Sequence, residues 1–337
     1  MTRRSLLRGQ RNLKGFSLIE LMVSMAIGLT IAAAAFSAYL GAASASKAAE
    51  AQGRMNEDAQ AALTILTQQM RMAGSNPNQP GRADKYRRNP VYVRDDPPQF
   101  ESMPPVTFVP SSFSLRGCDG KFSNIATATS LDDLNCAAGA NVLPDSMAVS
   151  YEADAFNSIP TTAKLPTDCL GVKLNEISAT PPSEVSSVPY NYYVANNLFY
   201  IGTSLSIASP SLYCKGNGVA SVAQPLVENI EDMQFTYGAV GPLTKTADTA
   251  TAVIAGYLTA DQVRTHVNMA ALLNDAERWA KVITVRICVL VRSEVPVATD
   301  SASARYLKCD GTLQTAPSDL RLRRAYYATV VLRNRRL

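Results

Sequence analysis

Gly15-Phe16-Ser17-Leu18-Ile19-Glu20 are the residues whose types and order bear most directly on chemistry. They join a basic leader to an apolar run that carries one carboxylate near its start. A cut after Gly15 would give Phe16 a new ammonium four residues from Glu20. One helix can bring two such charges together, yet both would also seek partners on a neighbouring helix as subunits pack. An acidic group inside a membrane helix costs about 2.5 to 3.5 kcal/mol on insertion scales for Asp, and it survives mainly where a partner neutralises it. A contact between Glu20 of one subunit and the Phe16 amine of another would favour one axial stagger and penalise the rest.

Chemistry of other kinds has little to work with. His266 is the single histidine and has no metal-ligand neighbour at helical spacing, so a solvated helix position explains it better than general-base work. The six cysteines, Cys118, Cys136, Cys169, Cys214, Cys288 and Cys309, include no Cys-x-x-Cys pair that would suit zinc or redox catalysis. Gly117-Cys118-Asp119-Gly120 and Cys309-Asp310-Gly311 read as turns and lack the spaced oxygen ligands of a calcium loop. We therefore expect no enzyme, no catalytic residue, no metal and no cofactor.

The elements that must position the junction are legible. Arg3, Arg4, Arg8, Arg11 and Lys14 precede it with no acidic residue, which holds the leader on the cytoplasmic side. From Leu21 to Ser46 there is no charged side chain. As a helix that run rises roughly 39 Å, enough to cross a bilayer with some tilt. A secretory signal would have a shorter apolar region and a small-residue cut after it, which Ala-rich stretches such as Ala32 to Ala35 leave open, whereas Gly15 offers a different cut, before the apolar run. The leader supplies five of the positive charges, so the formal +4 of the full chain is no argument for nucleic acid. Beyond the membrane Met55, Ala59, Ala62, Leu66 and Met70 recur at three to four residue spacing. Ala73-Gly74-Ser75-Asn76-Pro77 supplies a helix stop. The helix is expected over residues 16–73, roughly 87 Å long, with its transmembrane segment at about 21–43.

The junction resembles the class III signal of type IV prepilins and type II secretion pseudopilins: Gly15, then Phe16, with Glu20 at the fifth mature position. The resemblance implies that a prepilin peptidase removes residues 1–15 and methylates the amine of Phe16, and that Glu20 guides the subunit into a growing filament. Many major pilins break this helix with a proline, where the present chain has Ser37 and no proline before Pro77.

With 337 residues and 47% hydrophobic content, residues 74–337 have ample chain for a head with a core. Eight prolines between Pro77 and Pro110 make a connector with sparse regular structure. Short strands are expected at Met147 to Tyr151, Tyr190 to Ala195, Leu198 to Ile201 and Met233 to Tyr237, with Asn196-Asn197 as a hairpin turn. In Val282 to Arg292, Ile283, Val285, Ile287, Val289 and Val291 share a face that could cover the helix. Arg324 to Arg333 is another strand, and Thr259 to Trp279 reads as helical in two pieces. The fold class is α+β, a long helix packed on a largely antiparallel sheet. An even cysteine count in an exported head favours disulfides. Sequential neighbours are expected to pair, Cys118 with Cys136, Cys169 with Cys214 and Cys288 with Cys309, the alternative being buried free thiols.

Trp279 with Val282 to Ser293, and the ending Arg324-Ala325-Tyr326-Tyr327-Ala328-Thr329-Val330-Val331-Leu332-Arg333-Asn334, resemble the PilW family of minor pilins. That implies a low-copy subunit that primes assembly and sits at or near the tip of a pilus serving twitching motility, adhesion or DNA uptake. It would reside in the inner membrane with its head periplasmic, then in the surface fibre. Its partners would be prepilin peptidase, other minor pilins, the major pilin and a large tip adhesin. Arg321, Arg323, Arg324, Arg333, Arg335 and Arg336, with Tyr326 and Tyr327, form a basic ending. It could touch DNA, but it suits a solvated face or an acidic partner better. The neighbouring reading is a type II secretion pseudopilin; a reading of another class is a membrane-anchored adhesin or binding module.

Overall fold

The computed structural model describes residues 15–77, 113–137, 144–179, 190–203, 208–240, 254–265 and 275–334. Leader residues 1–14, the connector after Pro77, His266, Arg335 and Arg336 lie outside these residues. The chain forms two compact units, Met1–Glu50 and Ala51–Leu337. The unit with the head therefore takes in the last turns of the long helix, before residue 74.

Helix α1 runs unbroken over Leu18–Met72, 55 residues. Ser24, Thr30, Ser37 and Ser44 each turn the hydroxyl back onto a carbonyl of the preceding turn, that of Ser37 onto Ala33 O at 2.8 Å. Such back-bonding leaves the hydroxyl satisfied within its own helix, as an apolar surrounding requires. Alpha-1 ends where the sequence places its glycine: Gly74 has φ 71° and donates its N–H to Ser150 O at 2.9 Å.

The head is built from two antiparallel sheets. The first contains β1 (Leu115–Cys118), β2 (Ser146–Ala153), β4 (Tyr190–Gly202), β5 (Ser211–Lys215) and β6 (Gln224–Glu228) in that spatial order, with β3 (Ile177–Ala179) on β4. The second orders β12 (Arg323–Val331), β9 (Val282–Arg292), β7 (Ile230–Val240) and β8 (Ile254–Leu258). A small hairpin pairs β10 (Tyr306–Leu307) with β11 (Leu313–Gln314). Short helices α2 (Ala260–Thr265) and α3 (Asp275–Ala280) occupy the two ends of the region expected to be helical in two pieces. Only Asn229 separates β6 from β7, and its φ of 62° turns the chain from one sheet into the other; asparagine tolerates that region better than most side chains.

One core joins the sheets to the helix. Met55, Ala59, Ala62, Leu66 and Met70 are buried among Met147, Val149, Phe199 and Leu212 of the first sheet and Val285, Ile287, Val289 and Val291 of the second. The stripe read from the sequence thus meets the expected face of β9, with one exception. The pairing of β7 with β9 slips between Gly238 and Ala239, which pair with Thr284 and Val282. Ile283 falls in the bulge and is only half-buried, while Val282 enters the core in its place.

Asn196-Asn197 is not a hairpin turn. Strand β4 runs straight through it, Asn197 pairing with Val149 and Asn196 with Ser150 on β2. The two amides are buried because each has work inside. Asn197 accepts the Cys169 N–H at 3.0 Å and donates to Gln69 Oε1 at 2.8 Å, and Asn196 donates to Thr129 O at 3.1 Å. Internal partners compensate a buried amide for the water it gives up, and turn propensity then has no say.

Candidate functional site

At the junction the chain is non-helical through Gly15, Phe16 and Ser17 and enters α1 at Leu18. Phe16 is 89% exposed. A Cβ on Gly15 would meet nothing within 4 Å. Within the described residues, then, the bond following Gly15 is unobstructed.

Ser17 and Glu20 form a reciprocal cap. The Ser17 N–H donates to Glu20 Oε2 at 2.9 Å, the Glu20 N–H donates to Ser17 Oγ at 3.2 Å, and the Leu21 N–H donates to Ser17 O at 3.2 Å. This is a capping box, in which two otherwise orphaned amides at a helix start are satisfied by one hydroxyl and one carboxylate. The carboxylate also sits at the positive end of the helix dipole. Ser17 is the residue missed in reading the sequence; the Ser-x-x-Glu spacing ahead of an apolar run was its signal. In the unassembled chain, Glu20 is thus engaged with its own backbone.

Alpha-1 is long and apolar enough to cross a membrane, and its most apolar window is wholly exposed. Large side chains from Leu18 to Leu40, including Ile27, Leu29, Ile31 and Phe36, face outward.

From Ala51 onward polar bonds hold the helix to the head. Tyr326 Oη donates to Asn56 Oδ1 at 2.6 Å, Arg54 pairs with Glu294 at 2.8 Å, and Gln69 receives the Asn197 bond. Tyr151 stands in the same buried group as Asn197; burial, working against the hydrogen bonds of Asn197 and Gln69, pushes its phenol up to about 12.

Each of the six cysteines is in a disulfide: Cys118–Cys136, Cys169–Cys214 and Cys288–Cys309. They tie β1 to the loop after it, the Asp168 loop to β5, and the middle of β9 to the β10–β11 hairpin. Asp168 orders its loop by accepting the N–H groups of Leu170, Val172 and Gly218 at 2.9 to 3.0 Å.

No metal-holding group of His, Cys, Asp or Glu occurs among the described residues. Asp145 is buried and accepts the N–H groups of Phe235 at 2.8 Å and Gly120 at 3.1 Å; burial outweighs these bonds and lifts its carboxyl to about 7. Asp119 is spent on a helix end, accepting the N–H groups of Ala260 and Asp261.

The basic ending is divided rather than gathered. Arg323 is held by Glu231 and by Asp319, the latter at 2.6 to 2.8 Å. Burial works against its charge, yet those carboxylates carry its pKa above the ordinary value, and the hydrogen bond from Arg323 brings Asp319 down to about 2. Arg321 donates to Ser293 O at 2.8 Å. Arg324 lies over the Tyr326 ring at 5.4 Å, and Arg333 is exposed.

Two family models match the chain. That of type IV pilus-assembly protein W matches residues 192–334, from β4 through β12, and that of the prokaryotic N-terminal methylation motif matches residues 10–36, the leader junction and the first turns of α1. Comparison with curated proteins and with solved structures found no match. The first family is a structural one, of pilus assembly, and the motif implies handling by prepilin peptidase and contact with other pilus components. The C-terminal PilW match, the methylation motif, the exposed apolar helix and the antiparallel head together support a PilW-like type IV pilus minor pilin, and fit one that is anchored in the inner membrane and assembled into a surface pilus.

Proposed function

We propose that this minor pilin primes assembly of its pilus and is incorporated at or near the tip. In this reading residues 1–15 are removed by cleavage after Gly15, the Phe16 amine is methylated, and Glu20 steers the subunit into the fibre by meeting an amine on a neighbour. The head begins its work at Ala51, and the three disulfides brace it for life outside the cell. The observation that carries the reading is the pairing, on one helix, of an exposed apolar half with a half that anchors the large compact unit Ala51–Leu337. So bulky a head on a single helix suits an end position better than close repetition along a shaft.

Mass spectrometry of sheared surface fibres and of matched membranes tests it. A peptide beginning at N-methylated Phe16 in both fractions is the expected result, at low copy in the fibre and with fibres lost when the chain is deleted. The same peptide in membranes alone would point to a pseudopilin or to an assembly factor that stays behind. A protein still carrying its leader would overturn the scheme at its first step.

A further inference from the structure

We propose that the open edge of β12, from Ala325 to Val331, is a docking rail on which an extended segment of another pilin subunit adds as a further strand. The inference rests on the reading of the chain as a subunit that joins other pilins.

The argument starts from hydrogen-bond parity. The Leu332 N–H donates to Ile283 O at 2.8 Å, and Val331 pairs with Thr284. Residues 332, 330, 328 and 326 therefore exchange their backbone bonds with β9. Residues 331, 329, 327 and 325 turn theirs to the other side, since paired residues alternate along an antiparallel ladder. Beta-12 is the last strand of its sheet, and no bond from Ala325, Tyr327, Thr329 or Val331 to another described residue occupies that side. These residues are also the solvent-side ones: Tyr327 is 64% and Val331 56% exposed, whereas Tyr326 reaches Asn56 on α1 and Val330 is buried.

The other sheet edges are guarded or short. Beta-6 carries Pro225, its pairing with β5 is irregular at Leu212/Tyr213, β1 has four residues and β8 five. Beta-12 has nine residues, no proline and no bulge in its pairing with β9. Proteins usually blunt such an edge because it templates another strand, and one left open with the exposed Tyr327 and Val331 on it fits strand addition.

Charge selects the occupant. The exposed Arg324 precedes the open stretch and Arg333 follows it, Arg323 being already engaged by Glu231 and Asp319, while Ala325 to Leu332 carry no charge. Two copies paired antiparallel about Ala328 would bring Arg333 of each beside the exposed Arg324 of the other, and like charges opposed across strands destabilise. The edge instead fits a strand of a different subunit, neutral through its middle and acidic at its ends.

A photo-cross-linking phenylalanine analogue at Tyr327, in the full chain expressed in piliated cells, reads the partner directly. A cross-link to a carboxylate-flanked extended segment of another pilin is expected. A cross-link to the same stretch of a second copy, to helices alone, or to nothing would overturn the proposal. Thr329→Pro removes one outward N–H without touching the bonds to β9. It should cut recovery in fibres about tenfold, the effect of about 1.4 kcal/mol, while Thr329→Ala leaves recovery unchanged. Recovery of Thr329→Pro at the level of the unmodified chain would also overturn it. Should the proline lower the melting temperature of the head, the Tyr327→Lys, Val331→Lys pair replaces it, with the same expected loss and the same overturning result. Deletion of the chain in the same cells separates the two readings: fibres undiminished by deletion would sink tip priming, and the cross-link would still decide the rail.

Discussion

The two halves of α1 are one continuous helix with opposite surroundings. Up to Glu50 it turns Leu, Ile, Met and Phe outward, and none of them is buried among the described residues. From Ala51 the apolar residues shrink to a stripe, Met55, Ala59, Ala62, Leu66 and Met70, that both sheets bury. Helicity is thus indifferent to how apolar the surface is all round; what changes along α1 is who supplies the burial. In the second half it is the head's own strands. In the first it must be lipid or other subunits, since water would leave that surface unpaid. Hydroxyls in both halves, Ser24, Ser37 and Thr67 among them, bond back to their own helix, while Asn56 and Gln69 in the second half bond to the head.

Substitutions in each half should therefore read out in different assays. The largest effect is expected from Glu20→Val, which should leave cleavage after Gly15 and the melting of the head unchanged yet remove the protein from sheared fibres. Its normal incorporation would end the charge-pairing idea. Next, Leu66→Ala should cost the head about 2–5 kcal/mol in denaturant unfolding, whereas Leu29→Ala should leave head unfolding where it was; equal effects would erase the contrast between the halves.

The head should also respond to pH through Asp145. Burial lifts its carboxyl in the folded state from the ordinary carboxylate value of 3.8 to about 7, so within that window the folded state holds a proton that the unfolded state releases. Stability is then fullest at the acid end of that window and is lost as pH rises from about 4 to about 7. Asp145→Asn should flatten this slope, measured as melting temperature against pH. Gln69→Ala should cost about 1 kcal/mol, because Asn197 keeps Tyr151 as a partner at 3.3 Å. The smallest effect belongs to Ser17→Ala: about 1 kcal/mol of local helix stability, seen as faster amide exchange at Leu18 to Leu21 in micelles, with no change in the head.

What was legible in the sequence followed periodicity and punctuation. The buried stripe, Gly74 as helix stop and the span of β9 all announce themselves in the order of residue types, because burial on one face imposes a period. The misreadings occur where tertiary partners outvote local preference. Asn196-Asn197 looks like a turn until Gln69, Cys169 and Thr129 are placed around it, and Ile283 looks like core until β7 slips beside it. The arginine-rich ending looked like a single basic patch; Glu231, distant in sequence, and Asp319 break it up. At the junction, Gly15, Phe16 and Glu20 could be named from order alone, but the part Ser17 plays needed the helix start to be seen.

That helix start gives Glu20 a prior engagement. Its carboxylate already holds the Ser17 amide, so any amine arriving from a neighbouring subunit must outbid that bond and leave Ser17 N–H to find water, lipid headgroup or another acceptor. On the proposed charge pairing, docking would be an exchange of one satisfied arrangement for another, and a subunit still in the membrane would not carry the carboxylate bare.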